Sequence, residues 1–106
     1  MKKLRLRLLP VLVLLLAIAG CGGGETLTIF HAGSLAVPFD EVGKAFVGLH
    51  PDVRVYTESA GSLTTIRKVT ELGRPADIIG SADYLAIEEL MFPEYADWYI
   101  IFATNE

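Results

Sequence analysis

Cysteine and histidine are almost missing from this chain of 106 residues, which has one cysteine, Cys21, and two histidines, His31 and His50. One cysteine excludes an internal disulfide, and the scattered Cys and His residues exclude the ligand spacings of a zinc site. No G-x-S-x-G elbow, H-E-x-x-H or P-loop is present, so the common hydrolase, metalloprotease and nucleotide-binding signatures are absent. His31 and Ser34 share one turn without a third partner for a nucleophilic triad. No enzyme, no catalytic residue, no metal site and no cofactor are therefore expected. Basic residues are scarce after the first seven positions, where only Lys44, Arg54, Arg67, Lys68 and Arg74 follow. Nucleic acid, which needs a basic surface, is not an expected partner.

The one long apolar run lies at the start. Lys2, Lys3, Arg5 and Arg7 precede Leu8 to Ala19, which only Pro10 interrupts. That run is short for a bilayer span of ~20 residues, and its basic flank marks a signal peptide over residues 1–20. Ile18-Ala19-Gly20-Cys21 resembles the lipobox of secreted lipoproteins, which makes Cys21 the expected lipidation site. Gly22 to Gly24 then read as a flexible tether, with residues 21–26 linking lipid to domain. Cleavage before Cys21 removes four of nine basic residues and none of the thirteen acidic ones. The mature chain is acidic, so an anion site in it must rely on local dipoles and hydrogen bonds.

From residue 27 onward the pattern alternates strand and helix. Thr26 to His31 is an apolar run typical of a buried parallel strand. Leu35, Phe39, Val42, Phe46 and Leu49 recur at helical spacing, with Pro38 in the first turn. Val53 to Glu58 predicts a second strand. Leu63, Ile66, Val69 and Leu72 predict the buried face of a second helix, closed by Gly73 at the C′ position and Pro75 beyond it. Ala76 to Gly80 predicts a third strand, Asp83 caps a helix to Leu90, and Tyr99 to Ala103 predicts a fourth strand. The order is βαβαβαβ, an α/β fold with a parallel sheet. Ligands in open sheets of this kind sit beyond the carboxyl ends of the strands.

Two identical turns fall at such ends: Ala32-Gly33-Ser34-Leu35 and Ala60-Gly61-Ser62-Leu63. Glycines 33 and 61 let a ligand approach the backbone. Ser34 and Ser62 offer hydroxyls beside N–H groups at a helix start, an arrangement suited to an anion. Neutral donors favour an oxyanion that has already lost its protons, such as sulfate or molybdate, over phosphate, whose remaining proton needs an acceptor. The plainer alternative is that both serines are helix caps worth ~1 kcal/mol each. The other polar or aromatic candidates also have plain readings. His31 is a packed or hydrogen-bonded strand-end residue. Glu58 and Asp77 are solvated or capping, and Tyr95, Trp98 and Tyr99 are packing residues.

FHAGSL at 30–35, HPDV at 50–53, TESAGSL at 57–63, TIRKVTELGRPADIIGSADY at 65–84 and MFPEYADWYIIFATNE at 91–106 resemble the archaeal-type tungstate/molybdate-binding proteins of ABC transporters. The likeness runs from about Leu27 to the end. It implies the N-terminal portion of a periplasmic-binding-protein type II fold, with residues 27–106 forming a fragment of the first lobe and the second lobe missing. It further implies an extracytoplasmic receptor, lipid-anchored to the membrane, that delivers tungstate or molybdate to a permease driven by an ATPase. By this resemblance the first oxyanion contacts fall on Gly33 and Ser34, and the second on Ser62. The alternatives are a receptor for another oxyanion such as sulfate, or a truncated lipoprotein remnant that binds nothing. The fragment reading predicts that the native lipoprotein, measured by intact mass from the membrane fraction, is several-fold heavier than this chain. A mass matching Cys21 to Glu106 plus lipid would instead make the half-receptor real.

Overall fold

The computed structural model describes residues 23–104; the signal peptide and Cys21 lie outside them. Strand β1 (Glu25–Ala32) runs through the centre of the sheet, and its last four residues are all buried. A strand flanked on both edges and covered on both faces can carry apolar residues on both sides, which is why Ile29 and Phe30 are adjacent. β2 (Val53–Ala60) and β3 (Ile78–Gly80) pair with β1 on either edge, both parallel, in the order β2-β1-β3. β1 begins one residue before, and ends one residue after, the strand expected over Thr26 to His31.

A 3₁₀ turn (Gly33–Leu35) leads from β1 into α1 (Ala36–Leu49). α2 (Ser62–Thr70) follows β2, and α3 (Tyr84–Leu90) follows β3. Parallel crossovers are right-handed. The chain steps one way from β1 to β2 and the other way from β2 to β3, so α1 and α2 lie on opposite faces of the sheet. α1 packs against β2, where Gly43 brings the helix close to Val55. The main core lies on the other face, where Ile66, Ala86, Ile87 and Met91 are joined by Val69, Ile79, Phe92, Ala96 and Tyr99.

The parallel α/β architecture stands, but the fourth strand does not form. Among the described residues the sheet has three strands, and residues 98–104 run beside it without pairing. Ile100, Ile101 and Phe102 stay exposed. Their β-branched and aromatic character signals strand propensity, yet a strand exists only with a partner ladder, and among the described residues the outer edges of β2 and β3 take no partner. Two helical faces also sit rotated from the periodic reading. Val42 and Leu49 of α1, and Leu63 and Leu72 around α2, face outward, because a sheet this narrow covers only part of each apolar stripe. Trp98, read as a packing residue, is 75% exposed.

Local signals were followed more closely. Gly73 adopts φ 63, and the N–H groups of Gly73 and Arg74 donate back to the Val69 and Lys68 carbonyls. Asp83 caps α3 by accepting from the Leu85 N–H at 3.0 Å. Gly80 ends β3 directly against the Phe39 ring, and a Cβ there would collide with it. Gly80→Ala is expected to destabilise the fold by ~1–3 kcal/mol, the usual cost of overpacking. The urea midpoint of the variant should fall accordingly; an unchanged midpoint would mean that Phe39 moves aside freely.

Candidate functional site

The register of β1 on β2 decides where the two turns lie. Glu25 pairs with Val53 and every pair follows in step to Ala32 with Ala60. The two A-G-S-L sequences have the same offset, so both turns leave the sheet side by side at its carboxyl edge. On the other flank His31 pairs with Gly80. β3 therefore ends at the same edge, and its exit is a third Gly-Ser pair, Gly80-Ser81. The chain's direction of travel across the sheet reverses around β1, and such a switch point opens a crevice at the carboxyl ends.

Gly33 and Ser34 are exposed in the 3₁₀ turn, and no side chain caps its start. Gly61 is the N-cap residue of α2, again without a side-chain cap, and Ser62 is the first helical residue. Neither serine therefore acts as the cap that the plainer reading proposed. A Cβ at either turn glycine would meet only an ordinary contact at 3.9 Å, the Ala60 carbonyl at Gly33 and the Thr64 hydroxyl at Gly61. The first helical bond of α2 runs from the Thr65 N–H to the Gly61 carbonyl at 2.8 Å, so the N–H groups of Ser62, Leu63 and Thr64 precede the helical ladder, at its positive end. The Ser62 hydroxyl accepts from the Ala82 N–H at 3.2 Å. A hydroxyl that accepts in this way still has its own proton to donate. The arrangement gathers hydrogen-bond donors on one edge.

His31 is buried, and its Nδ1 donates to the Ala32 carbonyl at 2.8 Å while its ring meets Phe39 edge-on. It is the packed strand-end histidine that the sequence indicated. Asp77 accepts from the Thr28 N–H at 2.7 Å, and its own N–H donates to the Thr28 carbonyl at 2.9 Å, which extends the β1–β3 ladder. Tyr99 donates to Glu88 at 2.6 Å, and this bond together with burial raises the phenol above its ordinary value. Among the described residues no group of His, Cys, Asp and Glu could hold a metal ion, and no helix is long and apolar enough to cross a membrane.

Glu58, read as solvated or capping, is neither. Its carboxylate takes two bonds from Arg74, at 3.0 and 2.7 Å, and one from Lys68 at 2.5 Å. Both cations also lie over the buried Phe30 ring, Arg74 at 4.7 Å and Lys68 at 5.5 Å from its centroid. The hydrogen bonds from Arg74 and then Lys68 pull the Glu58 carboxyl from 4.5 down to about 2. The cluster ties α2 and the turn after it to β2. Separations of ten and sixteen residues carry no periodic signal, so it was invisible in the sequence. A cavity of about 540 Å³ lies between β3, α3 and the 95–102 segment; Trp98, Tyr99, Ile87 and Met91 line it, and Ser34 and Ser62 do not.

Residues 27–106 match the family model of bacterial extracellular solute-binding proteins. An uncharacterized solute-binding protein of Petrotoga mobilis is 59% identical over 80 residues, covering 76% of this chain and 25% of the relative. The molybdate/tungstate-binding protein WtpA of Pyrococcus abyssi is 46% identical, covering 90% of this chain and 32% of that protein. Its namesake in Thermococcus kodakarensis is 39% identical, covering 100% of this chain and 34% of that protein. The chain thus spans between 25% and 34% of the length of these relatives.

The Glu58 cluster makes a pH prediction. A carboxyl held near 2 contributes stability that is fully present above its unfolded value of 4.5 and is lost as pH falls from there toward 2. Acid unfolding followed by circular dichroism should show this loss, and Glu58→Gln should flatten stability across that window. Identical acid profiles for the two proteins would show that the cluster does not couple to folding.

Proposed function

The chain belongs to the bacterial extracellular solute-binding family, and from that premise we propose that it captures tungstate or molybdate for uptake through an ABC transporter. In this reading Gly33, Ser34, Gly61 and Ser62 hold the oxyanion through its oxygens. The protein works outside the cytoplasm, anchored through lipid on Cys21, and passes its ligand to a permease with its ATPase. It binds and releases, and makes no bonds. Residues 1–20 are its signal peptide, residues 21–26 its tether, and residues 27–106 a fragment of the first lobe of a solute-binding domain.

The observation that carries this reading is the match between sequence repeat and strand register. Two copies of one turn aligned across neighbouring parallel strands give two hydroxyls and two sets of backbone N–H groups on one edge. The names of the Pyrococcus and Thermococcus relatives support the choice of oxyanion. Helix-start dipoles favour negative charge without a basic side chain. That suits an acidic chain, in which bulk attraction for an anion is absent.

Titration calorimetry with sodium tungstate tests the reading. A hydrogen bond to a charged group is worth roughly 1.5–3 kcal/mol, so Ser34→Ala and Ser62→Ala are each expected to weaken binding by at least about tenfold. Wild-type affinity in both variants would overturn the anion site.

A further inference from the structure

We propose that Thr65 is a positioning residue of the oxyanion site, holding the second turn in place against the first. The inference rests on the oxyanion reading above. Thr65 is fully buried on the inner face of α2. Its hydroxyl donates to the His31 carbonyl at 3.2 Å, and His31 immediately precedes Ala32-Gly33-Ser34. Its backbone N–H donates to the carbonyl of Gly61 at 2.8 Å. One residue therefore holds the end of β1, just before the first turn, through its side chain and the second turn through its main chain.

Packing alone does not call for threonine. A valine has the same shape, and a buried hydroxyl is costly unless it is bonded. What the hydroxyl adds is direction. Apolar contact lets a helix slide along a sheet, because the hydrophobic effect is non-directional, whereas a bond to one carbonyl fixes one position. The far end of α2 is already pinned to β2, by Lys68 and Arg74 on Glu58. Thr65 pins the near end, three residues from Ser62, and pins it to β1. Ser62 is tied in addition to the exit of β3 through the Ala82 N–H. Without the Thr65 bond the helix remains attached, but its first turn loses its reference to Gly33 and Ser34.

The test uses the full chain, tungstate as the probe, and two variants that separate hydroxyl from volume. Thr65→Val is expected to lower tungstate affinity about fivefold, the worth of one neutral hydrogen bond, and to lower the melting temperature by roughly 4–8 °C. Thr65→Ser, which keeps the hydroxyl, is expected to bind close to wild type. If Thr65→Val binds as wild type while Ser34→Ala and Ser62→Ala lose affinity, the positioning role is wrong and the oxyanion reading stands. If valine and serine lose affinity equally, the side-chain volume matters and the hydroxyl does not, which also overturns it. A Thr65→Val chain that does not fold assigns the residue a purely structural role. If wild type binds none of tungstate, molybdate and sulfate, the oxyanion reading falls and this role falls with it.

Discussion

Parallel pairing of β1 with β2, eight residues on eight without a bulge, is the constraint on which the other features depend. A parallel pair requires a crossover, and α1 is that crossover. Because register is a rigid property of the ladder, the end of one strand fixes the end of its neighbour. A slip of one residue would move Ala60 away from Ala32 and put Gly61 beside the wrong partner. It would also turn every β2 side chain to the opposite face. Val55 would then leave Gly43, and Glu58 would leave the two cations. The geometry of the carboxyl edge and the packing of both faces are thus set together.

Charge is arranged around this frame in a particular way. Only five basic residues follow the first seven positions, and two of them, Lys68 and Arg74, are spent on Glu58 and the Phe30 face. Lys44 pairs with Asp40, and Arg67 with Glu71, on exposed helix surfaces where such pairs add little. Four of the five cations are therefore occupied with neighbours of their own. What remains at the carboxyl edge is a set of neutral donors: backbone N–H groups and hydroxyls. Neutral donors have fixed directions and fixed distances, so an edge built from them discriminates by shape and protonation state more than by attraction.

Local, short-range features of this fold were legible in the sequence. Gly73 and Asp83 are residues whose backbone demands are met within a few neighbours, and they stand where their chemistry indicated. The repeated turn was legible for the same reason, although its meaning depended on a register that only the sheet supplies. What could not be read was nonlocal. Glu58 meets Lys68 and Arg74 across three elements, and Thr65 meets His31 across 34 residues. Neither leaves a periodic trace. Gly80-Ser81 was visible as a pair, but it lacks the flanking leucine that made the other two turns alike. The fourth strand failed for the opposite reason. Its local propensity is real, but among the described residues no ladder forms on the outer edge of β2 or β3.

The exposed Trp98 has a spectroscopic consequence. It is the chain's sole tryptophan, and it stands three-quarters in water at the wall of the cavity beside β3. Near-ultraviolet emission from this protein therefore comes from one indole in a polar setting. Its colour is a direct gauge of whether water or apolar matter fills the space between β3 and the 95–102 segment. The molecule thus carries a built-in dye on an exposed apolar segment, beside Ile100, Ile101 and Phe102.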